Sequence, residues 1–172
     1  MKIYRGKIRP ISEEIVKNLA GEGDIEVAPE QVEEVILDME AIIKEYLRLE
    51  EELNRQAREM LQTRGMSYTE FGRVKRALAE EKKFEVGDRA LQWIANQMIE
   101  CFMINNRVSE IFSEDWTIRK KIIKVFDTHL GLEEQVDREA RARIKNIPEG
   151  TPEWEIEYQK IFHQLARKKG LV

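Results

Sequence analysis

The side chains best suited to nucleophilic, acid–base or metal chemistry are one cysteine, Cys101, and two histidines, His129 and His163. Neither histidine has a glutamate or histidine three or four residues before it, so the spacing of helical zinc and di-iron sites is absent from the sequence. Cys101 stands among apolar neighbours, which is typical of a buried thiol rather than a reactive one. The chain also has no glycine-rich phosphate loop and no GxSxG turn. The sequence therefore predicts no catalytic residue, no metal ligand and no cofactor.

A second group of side chains is suited to contacts with phosphate. Residues 1–10 carry four cations and no acid, with an aromatic residue among them. Such a basic arm can contact nucleic-acid backbones, but residues 13–40 follow with ten acids and one lysine. We favour an arm that folds back on this acidic segment or is solvated, because four charges make a weak electrostatic footprint. The candidate contacts to a partner or to phosphate are Tyr4, Arg5, Lys7, Arg9, Arg73, Lys75 and Arg76.

These side chains must be positioned by a chain of 172 residues that is 36% charged and has only nine glycines and four prolines. This composition favours long charged helices over a β-sandwich or a disulfide scaffold. The net charge of −4 points to no particular partner. No secretory signal is visible, and the most apolar segment, residues 90–104, is too short and polar to span a membrane. We expect a cytoplasmic protein.

Capping residues and apolar spacing predict an all-α fold of about seven helices. Ser12 is the expected N-cap of the first helix, and Thr151 with Pro152 opens the last. Gly131 is expected to break the chain between the fifth and sixth helices. Alternation at residues 24–27 predicts a brief extended segment, with little or no other β structure. The predicted helices span residues 11–20, 30–64, 67–82, 88–105, 113–129, 133–145 and 151 onward.

The longest predicted helix carries a regular apolar seam. Apolar side chains recur at alternating steps of three and four from Val32 to Met60, close to a heptad pattern. The same spacing occurs in a helix packed within its own bundle and in a coiled coil with another chain. We favour the bundle, since globular bundles use this spacing widely. Whether residues 30–62 form one helix or two stays open.

The two halves of the sequence resemble each other at an offset of 83 residues, with seven identities over the fifteen positions from Leu47 to Leu61. Past a loop that is four residues longer in the second half, residues 71–82 match residues 158–169. A match at fixed offset across several elements is the signature of a repeated unit. We therefore predict two related units, residues 1–83 with the basic arm and residues 84–172, packed as one compact body.

Several short motifs together are similar to a known family. They are Tyr4-Arg5-Gly6-Lys7-Ile8 with Pro10, Gly23 to Val27, Phe71-Gly72-Arg73, Arg143 to Asn146, and Trp154 to Tyr158. Over nearly its whole length the chain resembles an uncharacterised bacterial family that is catalogued as domain of unknown function 507. The resemblance implies a bacterial, cytoplasmic protein, and it carries no activity, cofactor or catalytic residue to transfer.

Three functional hypotheses follow, in decreasing order of preference. The first is a non-enzymatic interaction or adaptor protein that presents helix faces or the arm to a protein partner. An exposed apolar groove along the seam would support it. The second is a nucleic-acid- or ribosome-associated factor that uses the basic arm together with Arg73, Lys75 and Arg76. It requires these residues to converge on one face, and it fails if the arm is paired with Glu13, Glu14 or Glu33. The third is an enzyme assembled across helices, which requires a polar pocket that joins His129 or His163 to carboxylates.

Overall fold

Six α-helices and one pair of short strands make up the fold in the computed structural model, which describes residues 2–171. The helices are α1 (Arg5–Gly21), α2 (Val32–Thr63), α3 (Phe71–Glu81), α4 (Ala90–Ile104), α5 (Asp115–Arg143) and α6 (Pro152–Lys168). The strands β1 (Ile25–Val27) and β2 (Val108–Ile111) pair antiparallel with one irregularity in register. The predicted all-α fold class is confirmed, and the extended segment expected at residues 24–27 contains β1.

Six helices stand where about seven were predicted, because Gly131 does not break the chain. It lies inside α5, which runs without interruption from Asp115 to Arg143. A glycine inside a helix costs roughly 1 kcal/mol relative to alanine. Leu130 on one side of it and Val136 on the other are both buried against neighbouring helices. Burial on both sides of the glycine outweighs its weak helical propensity.

The first helix begins six residues earlier than the sequence predicts. Residues 5–10 of the predicted arm form the start of α1, and Pro10 lies inside the helix. Ser12 is therefore not an N-cap, and its side chain is fully buried within α1. Ile8 is buried as well. The apolar face thus extends before the proline, and its burial stabilises the helix there.

The apolar seam is enclosed by the chain's own bundle. Residues 32–63 form one continuous helix, α2, which packs against α1, α3 and α4. The seam positions alternate between fully buried side chains, such as Met39 and Tyr46, and half-buried ones, such as Ile42 and Leu49. The seam belongs to the core, as the bundle interpretation predicts.

The apolar interior has two parts. The main core draws buried side chains from residues 3–130 and so crosses the predicted boundary between residues 83 and 84. A smaller core joins the carboxyl-terminal half of α5 to α6, and Tyr4 packs against it. The order helix, strand, long helix, shorter helix occurs in residues 5–81 and again in residues 90–168. This order agrees with the predicted duplication, which stays a prediction, as does the division into two units.

The last helix begins as predicted. Pro152 occupies the first turn of α6, and the hydroxyl of Thr151 accepts a hydrogen bond from the backbone N–H of Trp154 at 3.3 Å. One face of α6 then presents aromatic side chains at four-residue intervals, at Trp154, Tyr158 and Phe162. Residues four apart lie on the same face of a helix, so the three rings point together toward α5.

Candidate functional site

The side chain of Arg9, a candidate residue of the arm, is paired with carboxylates of the same chain. Its guanidinium donates to Glu13 at 2.7 Å, to both oxygens of Glu33 at 2.6 and 2.7 Å, and to Glu40 at 3.3 Å. The pairing with Arg9 lowers the pKa of Glu33. Arg9 therefore folds back onto the acidic segment of residues 13–40.

Two other cations of the arm, Arg5 and Lys7, lie in the first two turns of α1. Arg5 lines a cavity of about 580 Å³ together with Lys44, Arg48 and Glu51 of α2. Within residues 2–171, neither Arg5 nor Lys7 forms a side-chain hydrogen bond or an ion pair. These two cations, unlike Arg9, have no carboxylate bound to them in the described structure.

The three candidate cations of α3 each donate a hydrogen bond to a group of the same chain. Arg73 donates to Glu70 at 2.9 Å, and Arg76 donates to the backbone carbonyl of Gly72 at 3.2 Å. Lys75 reaches across to α2 and donates to Glu50 at 3.2 Å. In the described part of the chain, no hydrogen bond or ion pair joins these side chains to the arm. The seven candidate residues are therefore not brought into one contact cluster.

Tyr4 lies apart from the other candidates, against α6. Its ring stacks on Phe162 with the centroids 5.4 Å apart and the planes inclined by 18°. Here it closes one side of a cavity of about 520 Å³ between α5 and α6. The other aromatic walls are Trp154 and Tyr158, which stack at 5.0 Å and 8°, and Tyr158 then contacts Phe162 at 5.7 Å.

A buried carboxylate lines this cavity. Glu133 of α5 is only 5% exposed, and neither of its oxygens has a hydrogen-bond partner among the described residues. The hydroxyl of Tyr4, which lines the same cavity, also has no partner there. Burial raises the pKa of Glu133 to about 7, although the charges of Lys7 and Lys2 act in the opposite direction. Unpaired buried polar groups are rare in folded proteins, so two in one cavity call for an explanation.

Two further polar side chains of the cavity, Asp137 and Tyr158, are paired with each other. The hydroxyl of Tyr158 donates to Asp137 at 2.5 Å, and Arg141 binds Asp137 at 3.0 Å and also contacts Glu149. The guanidinium of Arg141 lies 5.4 Å from the ring centroid of Trp154. The ammonium of Lys2 lies 5.1 Å from the centroid of Tyr4. Two cations of the chain thus already lie over aromatic faces of this cavity, within cation–π range.

The groups suited to catalysis or metal binding lie elsewhere. His129 pairs with Glu14 at 2.6 Å between α5 and α1, and His163 lines a separate cavity with Arg143, Gln164, Leu165, Arg167 and Lys168. Burial raises the pKa of the Cys101 thiol, which disfavours the thiolate. Residues 2–171 contain no group of three or more histidine, cysteine or acidic side chains placed to hold a metal ion. No helix in that range is long and apolar enough to cross a membrane.

Among the residues that shape the cavity, the sequence pattern indicates only Tyr4 as a candidate contact residue. It assigns the rings of α6 to an inner helix face, which is correct, but not to a cavity wall. It interprets Glu133 as part of the acidic start of a helix after Gly131. Because α5 is continuous, Glu133 lies on the same face as Leu130 and Val136. An acidic residue among apolar positions of one helix face is the sequence signal that could have identified Glu133.

Comparison with known proteins places the chain in a family. No curated protein matches the sequence. One family does match, over residues 1–171 and therefore over nearly all of the 172 residues. Its description is "Protein of unknown function (DUF507)". The match confirms the resemblance that the motifs of the sequence indicate. The chain belongs to this family.

Proposed function

We propose that the protein is a non-enzymatic helical interaction protein of the bacterial cytoplasm that engages a partner polypeptide at the cavity between α5 and α6. One observation carries this proposal, the buried carboxylate of Glu133 without a hydrogen-bond partner in the described structure. A buried polar group that is left unpaired costs about 1–3 kcal/mol, and more when it is charged. A partner that supplies a hydrogen-bond donor at this point recovers that cost on binding.

The surroundings of Glu133 support a binding role over a purely structural one. Aromatic side chains are enriched at protein interfaces, because they bury much surface at little cost in conformational entropy. Here Tyr4, Trp154, Tyr158 and Phe162 all line a single cavity. The seam of α2 is enclosed by its own bundle, so this cavity replaces the seam as the proposed contact surface.

Site-specific photo-crosslinking tests the proposal. A photoreactive phenylalanine derivative at Gln159, which lines the cavity, should crosslink a partner in cells. The same residue at Lys160, which is exposed and does not line the cavity, is the matched control and should crosslink weakly. The Glu133→Gln substitution should abolish the product formed from position 159. Equal crosslinking at both positions, or a product insensitive to Glu133→Gln, would show that the cavity is not the contact surface.

A nucleic-acid- or ribosome-associated factor is the second candidate function, but no longer through the basic arm, because Arg9 is paired with Glu13 and Glu33. One observation favours it: the cavity lined by Arg143, His163, Arg167 and Lys168 has a volume of about 660 Å³ and no carboxylate in its lining. Titration of labelled RNA and DNA at two salt concentrations tests this candidate, because phosphate contacts make binding fall steeply with salt. Substitution Arg167→Ala, compared with Arg5→Ala, separates this cavity from the predicted arm. Absence of binding at low salt would exclude the candidate.

A further inference from the structure

The two long helices of the protein carry corresponding glutamates with different surroundings. Glu50 of α2 accepts a hydrogen bond from Lys75 of α3 at 3.2 Å, and both side chains are about 20% exposed. Glu133 of α5 lies 83 residues after Glu50, the offset of the repeat. At the offset of 87 residues that relates α3 to α6, the residue matching Lys75 is Phe162. Under the predicted duplication, the second glutamate therefore lacks the ammonium that pairs with the first.

A second pair of contacts shows that the two helix pairs have similar geometry at this point. Lys82 of α3 donates to Gln56 of α2 at 2.6 Å. Lys169 of α6 donates to Glu139 of α5 at 2.8 Å. These residues are related by the same two offsets, 83 and 87. The missing ammonium at Glu133 is therefore not explained by a different packing of α6 on α5.

The cavity at Glu133 has the chemistry to receive an ammonium from outside. Aromatic faces attract a cation within about 6 Å of the ring centroid, and Lys2 already lies 5.1 and 5.7 Å from the centroids of Tyr4 and Phe162. Glu133 supplies two acceptor oxygens without partners in the described structure. An anion at the same place would meet the carboxylates of Glu133 and Asp137.

We propose that the cavity formed by Tyr4, Glu133, Tyr158 and Phe162 binds an alkylammonium group, presented by a lysine side chain of a partner polypeptide. The group supplies to Glu133 the kind of hydrogen bond that Lys75 supplies to Glu50. The identity of the source as a polypeptide rests on the proposed function, whereas the ammonium chemistry rests on the cavity alone. The methylene chain of the lysine lies along the aromatic walls, and its ammonium donates to Glu133.

A nuclear magnetic resonance titration tests the ammonium chemistry directly. The probe is N-acetyl-lysine methylamide, added through the millimolar range to the full ¹⁵N-labelled chain. The reporter is the indole N–H signal of Trp154, assigned with the variant Trp154→Phe. We expect saturable shifts with this probe, and none with N-acetyl-norleucine methylamide, which lacks the ammonium. Equal binding of the norleucine probe, preferential binding of N-acetyl-glutamate methylamide, or no binding of the lysine probe would overturn the proposal.

Three variants separate a specific site from a general effect of charge. Glu133→Gln should weaken binding of the lysine probe at least tenfold, whereas Glu153→Gln, at an exposed position of α6 that does not line the cavity, should change it less than twofold. Lys2→Ala should strengthen binding, because it removes a competing cation from the rings. Equal losses at positions 133 and 153 would contradict a specific ammonium site.

Two further comparisons identify the source of the ammonium. Tighter binding of free butylammonium or spermidine than of the lysine probe would overturn the polypeptide source and leave the ammonium site standing. A lysine probe that binds, combined with no crosslinked partner at Gln159, would remove the proposed function but not the site. A crosslinked partner without any binding of the lysine probe would overturn the ammonium site and leave the proposed function standing.

Discussion

The pH dependence of stability gives a direct physical test of the burial of Glu133. Its pKa is about 7 in the folded protein, against an ordinary value of 4.5. The folded protein therefore keeps the proton at pH values where the unfolded chain has released it. Stability from this group is fully present below pH 4.5 and is lost as the pH rises through about 7. At 1.36 kcal/mol per pKa unit, the loss is at most about 3 kcal/mol.

The variant Glu133→Gln removes this titration while keeping nearly the same shape. Relative to the wild type, we expect it to gain up to about 3 kcal/mol at pH 8 and less than about 1 kcal/mol at pH 5. Lys7 and Lys2 favour the ionised form of Glu133, and burial opposes it more strongly. Any loss caused by the amide itself is similar at both pH values, so it cancels when the two differences are compared.

Urea unfolding at pH 5, 6, 7 and 8 measures the effect, with the free energies compared at each pH. The exposed neighbour provides the control, since Glu134→Gln should show no comparable gain toward high pH. A stability difference for Glu133→Gln that is constant across the four pH values would refute the reasoning. It would mean that the carboxyl group of Glu133 is solvated or paired in solution. Glu133 would then not be an unpaired buried group available to a ligand.

Substitutions at four further positions test the fold. Gly131→Ala should stabilise the protein by about 0.5–1 kcal/mol, because a Cβ there meets no atom within 4 Å. Gly65→Ala should destabilise the protein instead, because Gly65 has a φ of +61°, which disfavours any residue with a Cβ. Melting temperatures of the two variants distinguish these results. Thr151→Ala should cost about 1 kcal/mol through loss of the α6 N-cap, and Thr151→Ser should restore most of that in urea unfolding. Arg9→Ala should lower the melting temperature at low salt, and the difference should shrink at high salt as its ion pairs with carboxylates such as Glu33 are screened. A difference unaffected by salt would indicate that these pairs do not contribute through charge.

Local signals were sufficient for much of the helical architecture. The run without glycine or proline at residues 30–64 and its apolar seam predict helical structure there and leave open whether it is one helix or two; the structure has one helix over Val32–Thr63. Thr151 and Pro152 predict the start of α6 at the correct residue. Both predictions succeed because apolar spacing and capping act over one or two turns, within reach of the sequence alone.

Predictions failed where packing outweighed a local preference. Gly131 and Pro10 are poor helix formers, yet both lie inside helices, because buried neighbours such as Leu130 and Ile8 hold the backbone there. Ser12 has the residue type of an N-cap but is buried within α1. Propensities of about 1 kcal/mol are smaller than the free energy gained by burying a large apolar side chain.

The sequence by itself determined the helical class, the start of α6 and the family to which the chain belongs, and it left open whether the region of α2 is one helix or two. Only the tertiary structure decided where a binding site lies. Tyr4, Glu133 and Phe162 are far apart in the sequence, and the cavity exists because the amino-terminal segment, α5 and α6 bring them together. Whether a carboxylate is satisfied depends on which side chain faces it across two helices: Lys75 faces Glu50, while Glu133 lines a cavity walled by aromatic rings.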